Sequence, residues 1–219
     1  MNRVDNLRAL LASPDQSERL RTALNAGTYP DPAYIDPLVK RSAIEPDFYV
    51  REMIVWALIR NDGPLVVDRL LPELISEVSQ ARSQALHTFT KLNDRALYKH
   101  ISKDLLFDAI DFVAMTAWRA ASRLVPQGEE LALGNVLIHQ LGRGAFDVQH
   151  ALSRAFCAIG ESILPLLENA AENTNKRVRD HARFTIAILK DPWSERKIAA
   201  DYELRTDILN DGAGEGENC

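Results

Sequence analysis

One helical pattern recurs along the chain about every 30 residues, and this repeat constrains the fold more than any other feature. In each copy an anchor residue and the residues four and seven positions later are apolar or small. The anchors are Val50, Ala81, Val113, Val148 and Val178. They lie 31, 32, 35 and 30 residues apart, and a weaker sixth copy lies near Gln16. This spacing marks one face of an α-helix, so the sequence predicts an array of helical units.

Other helical stretches lie between these segments, for example AYIDPLVKRSA and SILPLLENAAEN. Helix starts are marked by a capping residue followed by proline, as in Ser13-Pro14 and Asp31-Pro32. Strand-like alternation is absent from the sequence pattern. Each unit is therefore predicted to be a helical hairpin, and because a single hairpin cannot bury its own apolar faces, consecutive hairpins must stack.

The segments VREMIVWAL and KRVRDHARFTIA open a second helix with Val-Arg, while IDPLVK and ILPLLE place a proline in the first helix. Pro37 and Pro165 both lie 13 residues before their anchors. In these features the chain resembles HEAT repeats, in particular the short HEAT-like repeats named after phycobilisome linker-chromophore lyases. The resemblance implies an all-α fold, a right-handed α-solenoid (α-α superhelix) of about six HEAT-like hairpins over residues 1–190. Two anchors are followed by Ala114 and Gln149 instead of Arg, so a regular acid–arginine ladder is not expected mid-stack.

The formal net charge of -5 lies entirely in residues 191–219, because residues 1–190 contain equal numbers of acidic and basic residues. A charge-balanced body argues against broad nucleic-acid binding. Residues 191–210 are predicted to form a closing helix, in which Trp193 and Tyr202 pack on the last hairpin. Residues 211–219 are predicted to be a disordered acidic tail, and in one interpretation this tail is an intramolecular plug on Arg119 and Arg154.

The sequence motifs predict no catalytic residues, no metal site and no cofactor. None of the five histidines precedes a glutamate, the two cysteines are far apart, and a phosphate-binding glycine loop is absent from the sequence. The scarcity of cysteine and the lack of a long apolar run predict a cytoplasmic protein without a membrane segment.

The alternative to a non-catalytic protein is a HEAT-like enzyme or nucleic-acid-acting protein, which would be lyase-like or similar to alkylpurine DNA glycosylases. Those glycosylases hold a damaged nucleotide with Trp and Asp. Arg60 and Ser122 lie where the Asp partners of Trp56 and Trp118 would be.

In HEAT-like proteins the second helices line a concave surface, and positions two and six after each anchor point away from the buried stripe. The candidate partner-binding residues at or beside these positions are Trp56, His87, Met115, Trp118, Arg119, His150, Arg154 and Phe184. Trp, Arg and Met are enriched at the cores of interfaces. The sequence therefore predicts a non-catalytic intracellular scaffold that binds a protein or peptide partner on this concave face. A core role for Trp56 and Phe184 is the alternative interpretation.

Arginines that directly follow an anchor are expected to pair with acidic loop residues of neighbouring repeats. They are Arg51, Arg82 and Arg179.

Overall fold

The computed structural model describes residues 2–195, 197, 199–200 and 202–203. Within these residues it contains twelve α-helices, short 3-10 turns and no strand, so the predicted all-α class is confirmed. The helices are α1 Arg3–Leu11, α2 Gln16–Thr28, α3 Ile35–Ser42, α4 Phe48–Ile59, α5 Gly63–Leu70, α6 Ser79–Leu92, α7 Lys103–Leu106, α8 Asp111–Leu124, α9 Glu130–Leu137, α10 Phe146–Ile159, α11 Leu164–Ala170 and α12 Lys176–Lys190. The expected tail, residues 211–219, lies outside the described residues.

The helices alternate as predicted between a first helix and a longer second helix. The first helices have at most nine residues, and several are preceded or followed by a 3-10 turn; the second helices have 12 to 15. The predicted stripe is buried: Val50, Ile54 and Ala57 on α4 have no exposed surface. On α12 the anchor Val178 is only half-buried, whereas Ala182 is fully buried. Burial of this stripe explains why a small-residue helical pattern produces stacked hairpins.

The chain divides into two compact units, residues 1–120 and 121–219, a division that was not predicted. In the first unit α4 packs on α2, α3 and α6. In the second unit α10 packs on α9 and α12, and α11 packs on α12. Neighbouring hairpins therefore stack on one another within each unit. The predicted domain boundaries at residues 190 and 210 remain predictions.

Four second-helix arginines share one contact with the loop before their own helix. Each donates from Nη1 to the carbonyl oxygens six and five residues earlier, over distances of 2.7 to 3.4 Å. They are Arg19, Arg51, Arg82 and Arg179. Gln149 replaces the arginine on α10, and its side-chain amide donates to the oxygen of Gly144, five residues earlier. The repeated side chain therefore holds the turn of its own hairpin.

The prediction that the arginines after the anchors pair with acidic loop residues of neighbouring repeats is confirmed for Arg82 and wrong for Arg51 and Arg179, which bond to carbonyl oxygens of their own loops. Arg82 forms a two-bond contact with Asp108 at 2.7 and 3.0 Å. Arg19, which had not been predicted, forms the same contact with Glu45 at 2.9 Å. Glu45 is fully buried and its pKa is lowered: burial raises it, but the hydrogen bonds from Arg19, the Asp47 N–H and Arg41 outweigh that effect.

None of the helices in the described part of the chain is both long and apolar enough to cross a membrane.

Candidate functional site

The second-helix face, as the term is used below, comprises the side chains two, six and nine positions after each anchor. In the first unit it includes Trp56 and Met115, which are half-buried, and Arg119, which is exposed. In the second unit Arg154 is exposed, His150 is half-buried and Phe184 is 4% exposed. The side chains of this face therefore differ in burial between the two units.

A polar row runs across three second helices of the first unit. Glu52 on α4 places Oε1 2.7 Å from Nε2 of His87 on α6, out of line with the N–H bond, so Nε2 has no well-directed hydrogen bond. Arg119 on α8 donates from Nη2 to Nδ1 of His87 over 3.0 Å. Lys91 lies one turn after His87 with its Nζ 3.5 Å from Glu52.

The histidine in this row is neutral near pH 7. Burial lowers the pKa of His87, and the nearby charges of Arg119 and Lys91 add to that effect, whereas Glu52 opposes it. Because Nδ1 accepts a hydrogen bond from Arg119, the ring proton resides on Nε2, the nitrogen that faces Glu52. One hydrogen bond thus joins the exposed guanidinium of Arg119 to the ring, and the Glu52 carboxylate lies beside the opposite ring nitrogen.

The Trp56 ring is partly a packing element. A Cβ at Gly27 on α2 would overlap the Trp56 indole and would lie 2.9 Å from Cα of Ala57. Helix α2 therefore approaches α4 closely only because residue 27 is glycine. One edge of Trp56 packs on α2, which agrees in part with its predicted core role, while part of its surface stays exposed. Its predicted partner-binding role stays a prediction.

Trp118 does not lie on the second-helix face, which corrects its prediction as a partner-binding residue. Its side chain is fully buried, and its indole N–H donates to the oxygen of Leu106 over 2.8 Å. It lies five positions after its anchor, about 140° around the helix, on the side that packs against α7. A buried and hydrogen-bonded indole cannot contact a partner without repacking the hairpin.

Phe184 is also covered, and the C-terminal segment covers it. This name refers here to the described residues of the range 192–203. Tyr202 stacks on Phe184 with ring centroids 4.2 Å apart, and Ala199 joins Phe184 and Ile188 in one buried cluster. Phe184 is therefore a buried residue, as its alternative core interpretation states, and not an exposed partner-binding residue. The contact agrees with the prediction that Tyr202 packs on the last hairpin.

The same segment also contacts the charged residues of the second-helix face in the second unit, His150 and Arg154. Glu195 places Oε1 3.0 Å from Nε2 of His150 and 3.7 Å from Nε of Arg154. Tyr202 donates its hydroxyl to Oε1 of Gln149 over 2.6 Å. Trp193, predicted to pack on the last hairpin, is instead 99% exposed. The segment therefore contacts α10 and α12 through its charged and phenolic side chains, with Trp193 outside the contact.

A Ser–His pair lies beneath this face, and its hydrogen bonds exclude a nucleophilic role. Nδ1 of the fully buried His181 accepts the N–H of Gly142 at 3.0 Å, so the ring proton resides on Nε2. Nε2 lies 2.9 Å from the oxygen of Gln149 and 3.0 Å from Oγ of Ser153. Because Nε2 already carries a proton, it cannot accept the one on Ser153. Burial lowers the pKa of His181 to about 4, which keeps the ring neutral.

Cys157 is half-buried at the edge of the cluster formed by Phe184, Ile188 and Ala199. Burial raises the pKa of its thiol to about 11, and the charge of Glu195 adds to this effect while Arg154 opposes it. The prediction that this residue packs as a small apolar side chain agrees with its place. Its thiol is a poor nucleophile while the C-terminal segment lies over it.

A second surface of the first unit is apolar and was not predicted. It comprises exposed large side chains in the turns that precede three second helices. We call it the loop edge: Ile44, Phe48, Ile75, Val78, Ile110 and Phe112. The three turns are neighbours, since Gln80 donates to the oxygens of Ser42 and Glu45, while Arg82 binds Asp108.

Among the described residues, His, Cys, Asp and Glu side chains form no group of three or more that could hold a metal ion. An open cavity of about 330 Å³ lies between α1 and α2 and is lined by side chains such as Arg3, Asn6, Arg21 and Asn25. It contains no residue of the predicted site.

No protein-family model and no curated protein sequence matches this chain. Solved structures that it resembles include two engineered proteins of the Northeast Structural Genomics Consortium. They are 16% and 21% identical to it, each with a TM-score of 0.46 over 87% of this chain and over 99% and 97% of their own chains. Another is the complex of CpcE and CpcF of phycocyanin lyase from Nostoc sp. PCC7120, at 18% identity and a TM-score of 0.37 over 97% of this chain and 95% of that chain. These likenesses concern the helical fold alone.

Proposed function

We propose that this chain is a HEAT-like, non-catalytic scaffold of the cell interior that binds a protein or peptide partner on its second-helix face. The observation that supports this most is the row Glu52, His87 and Arg119 in the first unit, flanked by Trp56 and Met115. Three successive helices there present one continuous strip that combines half-buried apolar side chains with oriented charges.

The composition of this strip is that of an interface core. Trp, Met and Arg contribute large contact area, and their side chains lie beside charged groups that give orientation. Helices about 10 Å apart spread the strip over about 20 Å, a length that suits two to four turns of a partner helix or a short extended peptide. Trp118 is not part of this surface. In the second unit the corresponding surface comprises His150 and Arg154.

The test compares capture of proteins from native lysate by immobilised full-length chains. One chain is wild type, and the other carries Met115→Ala and Arg119→Ala, substitutions that suit the interior of α8 because alanine has the highest helix propensity. We expect at least one captured protein to fall about tenfold, the loss typical of a hot-spot residue worth about 1.4 kcal/mol. Arg95→Ala, which removes an exposed arginine from the 3-10 turn Arg95–His100, is the matched control and should leave recovery unchanged.

Equal recovery by wild type and the double variant contradicts the proposal. Loss of recovery only with Phe112→Ser would instead assign docking to the loop edge. Salt-sensitive binding of DNA without any protein partner would favour the alternative of a nucleic-acid-acting protein. Thermal unfolding of each chain checks that the variants are folded before their recovery is compared.

A further inference from the structure

The C-terminal segment packs on α10 and α12 with one face, as an amphipathic helix does. Residues 195, 197, 199–200 and 202–203 are helical. Glu195, Ala199 and Tyr202 are spaced at i, i+4 and i+7, which places them on one face of a helix. All three contact α10 or α12. The C-terminal segment therefore shows one arrangement of helical side chains that fits against α10 and α12.

Three kinds of contact define that geometry. A carboxylate, Glu195, lies between His150 and Arg154. A small residue, Ala199, is buried. An aromatic ring, Tyr202, stacks on Phe184 with an angle of 15° between the planes. Carboxylate, small residue and aromatic ring at fixed helical spacing form a recognition pattern of the helix-in-groove type.

These contacts are also limited in extent. Glu195 keeps 32% of its side-chain surface exposed, Arg154 keeps 70% and Trp193 lies outside the contact. Exposed ion pairs contribute little to stability because water screens them. Among the described residues, the uncharged contacts of the segment include the stack of Tyr202 on Phe184, the hydrogen bond from Tyr202 to Gln149 and the buried Ala199. A helix with the same pattern and additional apolar side chains would therefore compete.

We propose that the second-helix face of the second unit is a docking site for an amphipathic helix that carries a carboxylate and, seven residues later, an aromatic side chain. The C-terminal segment occupies this site in the free protein, and a partner helix of that pattern displaces it. The inference rests on the proposed function, since it assigns a partner class to one part of the same face.

The first measurement uses a labelled peptide of residues 191–210 and full-length protein. In the protein, Glu195→Ala with Tyr202→Ala weakens the tethered segment, and Lys197→Ala removes an exposed charge from the same segment as a matched control. A tethered competitor acts at an effective concentration in the millimolar range. The peptide should therefore bind the double variant at least about tenfold more tightly than wild type or Lys197→Ala, by fluorescence anisotropy. A peptide that carries Tyr202→Ala should bind it about tenfold more weakly, because the stack on Phe184 is lost. A peptide that carries Glu195→Lys should bind it about threefold more weakly, because the ion pair is partly exposed.

The second measurement follows Cys157, which lies beneath the segment, in a Cys219→Ser background so that one thiol remains. Alkylation of Cys157 by iodoacetamide should be severalfold faster in the double variant than in wild type or Lys197→Ala. Addition of the unlabelled 191–210 peptide should slow it again. Restored protection shows that the peptide occupies the position that the segment leaves.

Two results overturn the inference. If the double variant fails to bind the peptide, or if alkylation is fast and the peptide does not slow it, the segment is only a structural end cap. Should circular dichroism reveal an unfolded double variant, Tyr202→Ala alone, which removes the stack on Phe184, is used instead with the same expectations. Either failure leaves the proposed function standing if Met115→Ala with Arg119→Ala still loses its partner.

Discussion

Burial of His181 predicts that the free energy of unfolding falls as the pH drops below 6.5. In the folded chain its pKa is about 4, because burial lowers it from 6.5 and the hydrogen bond to the oxygen of Gln149 opposes this only in part. In the unfolded chain the imidazole regains a pKa near 6.5. Between these two values the unfolded state binds the extra proton, so acid favours unfolding.

The size of the effect follows from the two pKa values. For one group with pKa values of 6.5 and about 4, the free energy of unfolding falls by about 2 kcal/mol from pH 7 to pH 5, and by about 3 kcal/mol at pH 4. Glu45 and Asp36 also have lowered pKa values, but carboxylates exert their effect below about pH 4.5. The interval from pH 7 to pH 5 therefore isolates the histidines.

His181→Gln removes the titration while its amide can still donate toward the oxygen of Gln149. Urea unfolding followed by circular dichroism at pH 7, 6, 5.5 and 5 gives the free energy of unfolding of both proteins. The variant should be less stable at pH 7, and the difference from wild type should shrink by about 2 kcal/mol by pH 5. The lowered pKa of His87 acts equally in both proteins. Parallel pH profiles would refute the assignment of a low pKa to the buried ring.

Two further predictions concern packing in the first unit, and both are measured by urea or thermal unfolding. Gly27→Val should destabilise the chain by about 2 kcal/mol or more, because a side chain at this position overlaps the Trp56 ring and meets the backbone of α4; an unchanged midpoint would contradict the close approach of α2. Arg82→Ala should lower stability by about 3 kcal/mol, since the carboxylate of Asp108, 9% exposed, loses its two-bond partner. Arg82→Lys should recover only part of that loss, because an ammonium group cannot form the same fork, and full recovery would show that charge alone suffices.

The buried stripe of each second helix was predictable because helical period and small side chains are local properties of the sequence. Val50, Ile54 and Ala57 needed no tertiary information beyond the requirement that an apolar stripe be covered. The interruption at Ala114 and Gln149 was likewise visible. The pairing of Arg19 with Glu45 was missed because Glu18, and not an apolar or small anchor, precedes the arginine of the first repeat.

The burial of side chains on the second-helix face could not be predicted in the same way. Helical period fixes the direction of a side chain but not the segment that lies over it. Trp56 and Phe184 occupy the same position six residues after their anchors, yet Trp56 is half-exposed beside Gly27 whereas Phe184 is buried under Tyr202. What separates them is a glycine on a neighbouring helix and a segment that follows the last repeat, and neither is part of the repeat pattern.

This difference between the units bears on how such a chain can be selective. Arg119 and Arg154 also share one repeat position, but Arg119 contacts His87 on the neighbouring helix while Arg154 and His150 face Glu195 of the C-terminal segment. Under the proposed function, a partner of the first unit would complement a row in which Arg119 already bonds to His87. Under the further inference, a partner of the second unit would displace a tethered helix that carries the same carboxylate and aromatic side chain. We expect this competition to favour ligands that carry both groups over ligands that carry one, because the tethered segment carries both at a high effective concentration.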